Sequence, residues 1–202
     1  MNLTKRTDPR VVRTRQMLRD ALIATILDKG YDATNVQEIT DRAGLRRATF
    51  YLHYRDKEEL LLTLLHETLD ELMEQIGTGP RSVLTEESEY AEGLITFKFI
   101  QKRANLYRAI LRGQGASEIT RSIRDNLAVR IQQKCIELQK VDLPVPVDVL
   151  ANYLATVKLN MVIWWLDKDM PYTPEQMADM CTRLVLNGTA GILSEPAMAT
   201  AL

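Results

Sequence analysis

Apolar side chains recur every three or four positions through most of this chain, and nowhere do they alternate with polar ones for long enough to make a strand. The clearest row is Ile119, Ile123, Leu127, Ile131 and Cys135, each four residues from the last. That spacing lines one stripe of an α-helix and would scatter over both faces of a sheet. The pattern therefore predicts an all-α fold of about nine helices. Asp8-Pro9 pairs a capping residue with a first-turn proline, opening a helix with Val11, Leu18, Ala21, Leu22, Thr25 and Ile26 on its inner face. Lys29-Gly30 closes it.

Thr34-Asn35-Val36-Gln37 has the form of a capping box before a short helix that stops at Ala43-Gly44, and a second short helix reaches Tyr54. Asp56-Lys57-Glu58-Glu59 caps a long helix carrying Leu60 to Ile76. Gly77-Thr78-Gly79-Pro80 is the clearest break. Beyond it the spacing predicts helices over 86–102, around Tyr107 and Leu111, through the Ile119 row, and over 147–166 after Pro144-Val145-Pro146. A last helix opens at Thr173-Pro174-Glu175-Gln176 and runs to Leu193.

No apolar run approaches the roughly 20 residues of a membrane helix. The start, Met1-Asn2-Leu3-Thr4-Lys5-Arg6, has no apolar stretch behind its charges, which argues against a secretory signal. Cys135 and Cys181 give neither a disulfide framework nor metal-ligand spacing, so a reducing cytoplasm without metal or cofactor is expected.

The net charge of −1 hides an asymmetry. Residues 1–55 hold 11 Lys and Arg against 6 Asp and Glu, a balance of +5, and the other 147 hold 15 against 21, a balance of −6. A basic head on an acidic body points the head towards a polyanion.

Thr34 to Tyr54 sharpens that reading. Two short helices joined by a tight turn at Gly44 make a helix-turn-helix, with glycine where the chain reverses at positive φ. Val36 and Ile39 are placed to pack on Leu45, Phe50 and Tyr54. Arg46, Arg47, Ala48, Thr49, Tyr51, Leu52 and His53 then face outward. Arginine forks suit guanine O6/N7, hydroxyls suit phosphate, and a small residue permits close approach to a groove. The tail residues Lys5, Arg6 and Arg10 are candidates for the adjacent minor groove.

The string Leu18…Ala21-Leu22…Gly30-Tyr31-Asp32-Ala33-Thr34-Asn35-Val36…Ile39…Ala43-Gly44-Leu45…Thr49-Phe50-Tyr51…His53-Tyr54…Asp56-Lys57-Glu58-Glu59-Leu60-Leu61 resembles the TetR family of transcriptional regulators. The resemblance implies a helix-turn-helix DNA-binding domain over 1–55 and a ligand-sensing and dimerisation domain over 56–202, linked by the helix 56–76. It implies that Thr34 binds phosphate through hydroxyl and backbone N–H. Tyr51 and His53 would touch backbone or groove edge, Lys57 would clamp a phosphate, and Arg47 and Thr49 would face the groove. Arg46 departs from the family's small capping hydroxyl, and Leu52 fills a commonly polar position.

In the body, Met177, Met180, Cys181, Leu184, Val185, Gly188 and Ile192 form an apolar stripe suited to a homodimer, with Gly188, Ala190 and Gly191 permitting close approach. The family pairs its last two helices into an intermolecular four-helix bundle. The resemblance also implies a small-molecule pocket among the central helices, with Tyr90, Leu94, Phe97, Tyr107, Tyr153, Met161 and Trp165 as candidate walls. Asn152, Lys158 and Asn160 are candidate polar anchors. The implied activity is repression at a palindromic operator on double-stranded DNA, relieved by a small-molecule effector. Control by a protein partner is the alternative. His53 and His66 are the only histidines, and no nucleophile elbow or phosphate-cradling glycine loop accompanies them, so catalysis is not expected.

Overall fold

The Asp8 carboxylate accepts a hydrogen bond from the Arg10 backbone N–H at 2.8 Å, and Pro9 occupies the first helical turn, so the first helix begins where its capping chemistry places it. This computed structural model describes residues 8–77, 85–113, 116–137 and 145–194, the side chains of 137 and 189–194 apart. Among the described residues there are nine helices and no strand. They are α1 (Pro9–Lys29), α2 (Val36–Ala43), α3 (Arg47–Tyr51), α4 (Lys57–Gly77), α5 (Glu86–Gln101), α6 (Ala104–Leu111), α7 (Ala116–Glu137), α8 (Val147–Asp167) and α9 (Pro174–Ser194).

Two compact units divide the chain. The first takes in residues through Thr68 together with Asn105–Ile123. Its core is built from Leu18, Leu22 and Ile26 of α1, Ile39 of α2, Phe50 of α3, Leu60 and Leu61 of α4, Ile110 of α6 and Ile119 of α7. The N-terminal helices thus share their core with segments far along the sequence. An Arg19–Glu67 ion pair ties α1 to α4 within this unit.

The second unit comprises Leu69–Ala104 and the chain from Arg124 onward. Antiparallel α5 and α9 form its closest seam, for a Cβ on Gly93 would stand 3.3 Å from the Ala178 Cα, and Lys98 pairs with Glu175 at 2.9 Å. Thr173 and Gln176 bond reciprocally, side chain to backbone N–H, at 2.9 and 3.3 Å, and so complete the expected capping box of α9. That helix is not continuous. Gly188 breaks it at φ 62° and ψ −179°, a conformation confined in practice to glycine. A Cβ there would meet nothing within 4 Å in this chain, so the glycine serves the backbone bend.

One sequence expectation needs correction. By length and composition α8 is apolar enough to cross a membrane. Its inner face is instead used in the core of the second unit through Ala151, Leu154, Ala155, Val162, Trp165 and Leu166, and Lys158 is ion-paired to Glu89.

Candidate nucleic-acid interface

Asn35, not Thr34, caps α2. Its Oδ1 accepts from the Glu38 N–H at 3.1 Å while Glu38 accepts from the Asn35 N–H at 3.2 Å. Lys29 pairs with the same Glu38 and holds its carboxyl below the usual range, and Arg42 pairs with Asp28, so charge fastens the end of α1 to α2. Gly44 follows in the left-handed region at φ 65° and ψ 31°, and α3 begins three residues later at Arg47.

The second helix of the motif is shorter than expected, five residues against eight for α2. Its last turn tightens: the His53 N–H reaches the Phe50 carbonyl at 2.9 Å, and the Asp56 cap of α4 follows at once. Phe50 anchors α3, fully buried and edge-to-face with Tyr51 at 5.5 Å. Arg46 stands at the N-cap with extended backbone and no side-chain capping bond, as its departure from the family pattern suggested.

Burying Phe50 and Tyr54 turns the rest of α3 outward. Arg46, Arg47, Ala48, Tyr51 and Leu52 are exposed, Leu52 at 80%, while Thr49 and His53 are half-buried. Neither Arg46 nor Arg47 is ion-paired among the described residues. Arg47 rests on Tyr51, donating from two of its three guanidinium nitrogens, Nη2 and Nε, to the hydroxyl at 3.0 and 3.3 Å. Short side-chain contacts therefore hold one guanidinium ready on an otherwise uncompensated basic face.

Thr34 and Lys57, two of the expected phosphate contacts, make hydrogen bonds within the chain. Thr34 is only 2% exposed, its hydroxyl donates to the Gly30 carbonyl at 2.8 Å, and its N–H to the Tyr31 carbonyl at 3.1 Å. Lys57 donates to the carbonyls of Tyr31, Asp32 and Thr34 at 3.0, 3.3 and 2.7 Å, which uses all three of its protons. Partial burial lowers its pKa, with Asp32 and Glu38 opposing. Both residues shape the 31–34 turn that delivers the chain to α2. Sequence spacing could not separate this from phosphate binding, because either role needs a donor at a helix start.

Among the expected pocket walls, Phe97 and Trp165 are buried against each other edge-to-face at 5.2 Å, and the Trp165 Nε1 donates to the Tyr172 carbonyl at 2.8 Å. They are core. Tyr107 packs on the core of the first unit, and Tyr153 is 59% exposed on α8, so neither lines an interior wall with the others. Tyr90, Leu94 and Met161 are half-buried in the second unit. Lys158 turns inward to Glu89 at 3.0 Å and Glu92 at 3.8 Å, while Asn152 and Asn160 are exposed. Glu89, the partner of Lys158, is a polar group that sequence spacing does not single out.

Along the expected pairing stripe, Met177 is wholly buried inside the chain and belongs to the core. Met180, Cys181, Leu184, Val185 and Gly188 are half-buried. Burial pushes the Cys181 thiol up to about 11, which makes it a poor nucleophile. The side chains of Ile192 and Ala190, with Gly191, lie outside the described residues, as do Lys5 and Arg6.

Comparison with known proteins agrees with this geometry. Residues 18–64 match the bacterial regulatory proteins, tetR family, and residues 92–187 match a transcriptional regulator C-terminal region. The HTH-type transcriptional regulator YxbF of Bacillus subtilis (strain 168) is 26% identical over 177 residues, 86% of this chain and 45% of that protein. The chain thus spans less than half the length of that relative. The HTH-type transcriptional activator FasR of Mycolicibacterium smegmatis is 23% identical over 189 residues, 91% of this chain and 86% of that one. A TetR-family regulator from Syntrophomonas wolfei superposes with a TM-score of 0.71 at 19% identity, covering 91% of this chain and 98% of the other. FadR of Bacillus subtilis, solved in complex with stearoyl-CoA, gives 0.61 at 19% identity over 86% of this chain and 98% of the other. A helix-turn-helix match followed by a regulator C-terminal match, on an all-helical frame, makes this chain a member of the TetR family of transcriptional regulators.

Proposed function

We propose that the chain acts as a homodimeric, ligand-responsive repressor in the cytoplasm, binding a palindromic operator through α3 and leaving it when a small molecule binds the second unit. The observation that carries this is the outward face of α3: Arg46, Arg47, Thr49, Tyr51, Leu52 and His53 gather around one small exposed residue, Ala48. Such a face supplies the donors, reach and close approach that a major groove requires. A five-residue recognition helix contacts few bases, so a second copy on the next half-site supplies the missing affinity. The surface best suited to that copy is exposed and apolar: Val149, Tyr153 and Trp164 on α8, with Leu186 on α9.

A ligand can shift such a dimer only by binding its two states unequally. Since FadR of Bacillus subtilis has been solved with stearoyl-CoA, an acyl thioester is the first class to try. The test is genome-wide footprinting of the purified protein with and without stearoyl-CoA and an inducing cell extract. Occupancy of palindromic sites that falls with ligand supports the reading. Occupancy that rises makes the protein an activator or co-repressed regulator, and identical occupancy in every condition removes the ligand switch.

A further inference from the structure

Leu52 follows α3 in right-handed helical conformation, at φ −74° and ψ −17°, and is the most exposed large apolar side chain among the described residues. Ala48, also exposed, precedes it by four residues. Helical spacing therefore sets Ala48 and Leu52 in one apolar lane beside the polar lane of Arg47 and Tyr51. A lone exposed leucine on a solvated helix calls for no explanation. This one sits on a face of the first unit where guanidinium, hydroxyl, phenol and imidazole are presented together.

A major groove offers such a side chain one apolar target. Beside bare ring C–H edges, the other base-edge groups there are hydrogen-bond donors or acceptors, and only thymine carries a methyl. Alanine keeps the helix close enough for the leucine to reach it. Resting on the DNA-binding reading of α3 above, we propose that Leu52, supported by Ala48, reads the 5-methyl group of one thymine in each operator half-site. That thymine falls within about two base pairs of the base read by Arg47, given the helical rise between the two residues. Burial of one methyl group against an aliphatic side chain predicts about a three- to fivefold effect on affinity.

Selection of bound duplexes from a randomised pool yields the site. Each thymine of the selected duplex is then replaced singly by deoxyuridine, which pairs identically and lacks only the methyl group. The expected result is one position per half-site where replacement weakens the wild-type protein about three- to fivefold and leaves Leu52→Ala almost unaffected. The exposed position leaves the melting temperature of Leu52→Ala close to wild type, which confirms that the variant is folded. If no replacement costs the wild-type protein more than about twofold, or if the loss persists undiminished in Leu52→Ala, thymine reading is overturned while DNA binding stands. Should the protein select no duplex and show no salt-sensitive binding, the DNA-binding reading falls first and this proposal with it.

Discussion

The Lys57 ammonium lies 4.5 Å from the centroid of the Tyr31 ring and donates to the Tyr31 carbonyl at 3.0 Å. One cation at the start of α4 thereby closes the turn before α2 and ties that turn to α4. Lys57→Met keeps the aliphatic stem and loses the charge. We expect it to cost about 2–3 kcal/mol in urea denaturation, since charge-assisted bonds and a cation–π contact are lost together. A phosphate clamp would behave differently: stability would hold, and the salt dependence of DNA binding would flatten by about one unit of slope.

Arg47 makes the opposite case, because among the described residues its side chain bonds only to Tyr51. Arg47→Ala should weaken the selected operator by about 1–3 kcal/mol and relax preference at one base pair, with unfolding unchanged within about 0.5 kcal/mol. Tyr51→Phe should have a smaller effect of the same kind, because it removes the hydroxyl on which the guanidinium rests. Titration of labelled duplexes checks both. Equal losses on all sequences would assign Arg47 to the phosphate backbone.

Local chemistry carried much of this architecture in the sequence. Asp8-Pro9, Thr173-Pro174-Glu175-Gln176 and the buried row Leu18 to Ile26 each specify an element through neighbours no more than four residues apart. The outward set on α3 was legible for the same reason, since Phe50 fixes which side is inner. What sequence could not supply was the partner across space. Thr34 and Lys57 carry suitable phosphate donors, yet the carbonyls of residues 30–34 take those protons first. Trp165 and Tyr153 look alike as pocket walls on one helix, but Trp165 is wholly buried and Tyr153 exposed. Glu89 gains meaning only from Lys158, on another helix.

Alkaline stability should report on Tyr31. Burial, then Glu58, Asp56 and Asp32, push its phenol from 10.0 up to about 12. Folding therefore favours the neutral ring: its contribution is complete below pH 10 and is lost as pH rises through about 12. The loss amounts to at most about 3 kcal/mol. Lys57, whose pKa is lowered from 10.5, opposes this by favouring folding as pH rises. Chemical denaturation of wild type and Tyr31→Phe between pH 9 and pH 12 separates the two effects. The wild-type protein should lose stability more steeply, and parallel profiles would remove Tyr31 as the cause.

Gly188 offers a backbone test. At φ 62° and ψ −179°, Gly188→Ala meets no steric neighbour but must either strain or straighten the bend, at about 1–3 kcal/mol. Thermal unfolding should reveal a loss despite the open space around the new methyl. An unchanged or raised melting temperature would mean that α9 continues through this position as an unbroken helix.

The exposed face of α8 can be tested by adding charge. Val149 and Tyr153 are one turn apart, and Trp164 follows after three further turns on the same stripe, where it stacks on Tyr172 at 6.3 Å. A two-fold interface repeats every contact, so one buried glutamate is introduced twice and leaves two unpaired charges. Tyr153→Glu should raise the dimer dissociation constant by at least about tenfold while preserving helicity, because Tyr153 is exposed within its own chain. Light scattering across protein concentration reads the assembly, and operator affinity should fall in parallel, since one recognition helix alone holds a single half-site. A Tyr153→Glu protein that remains dimeric and binds DNA normally would place the pairing surface elsewhere.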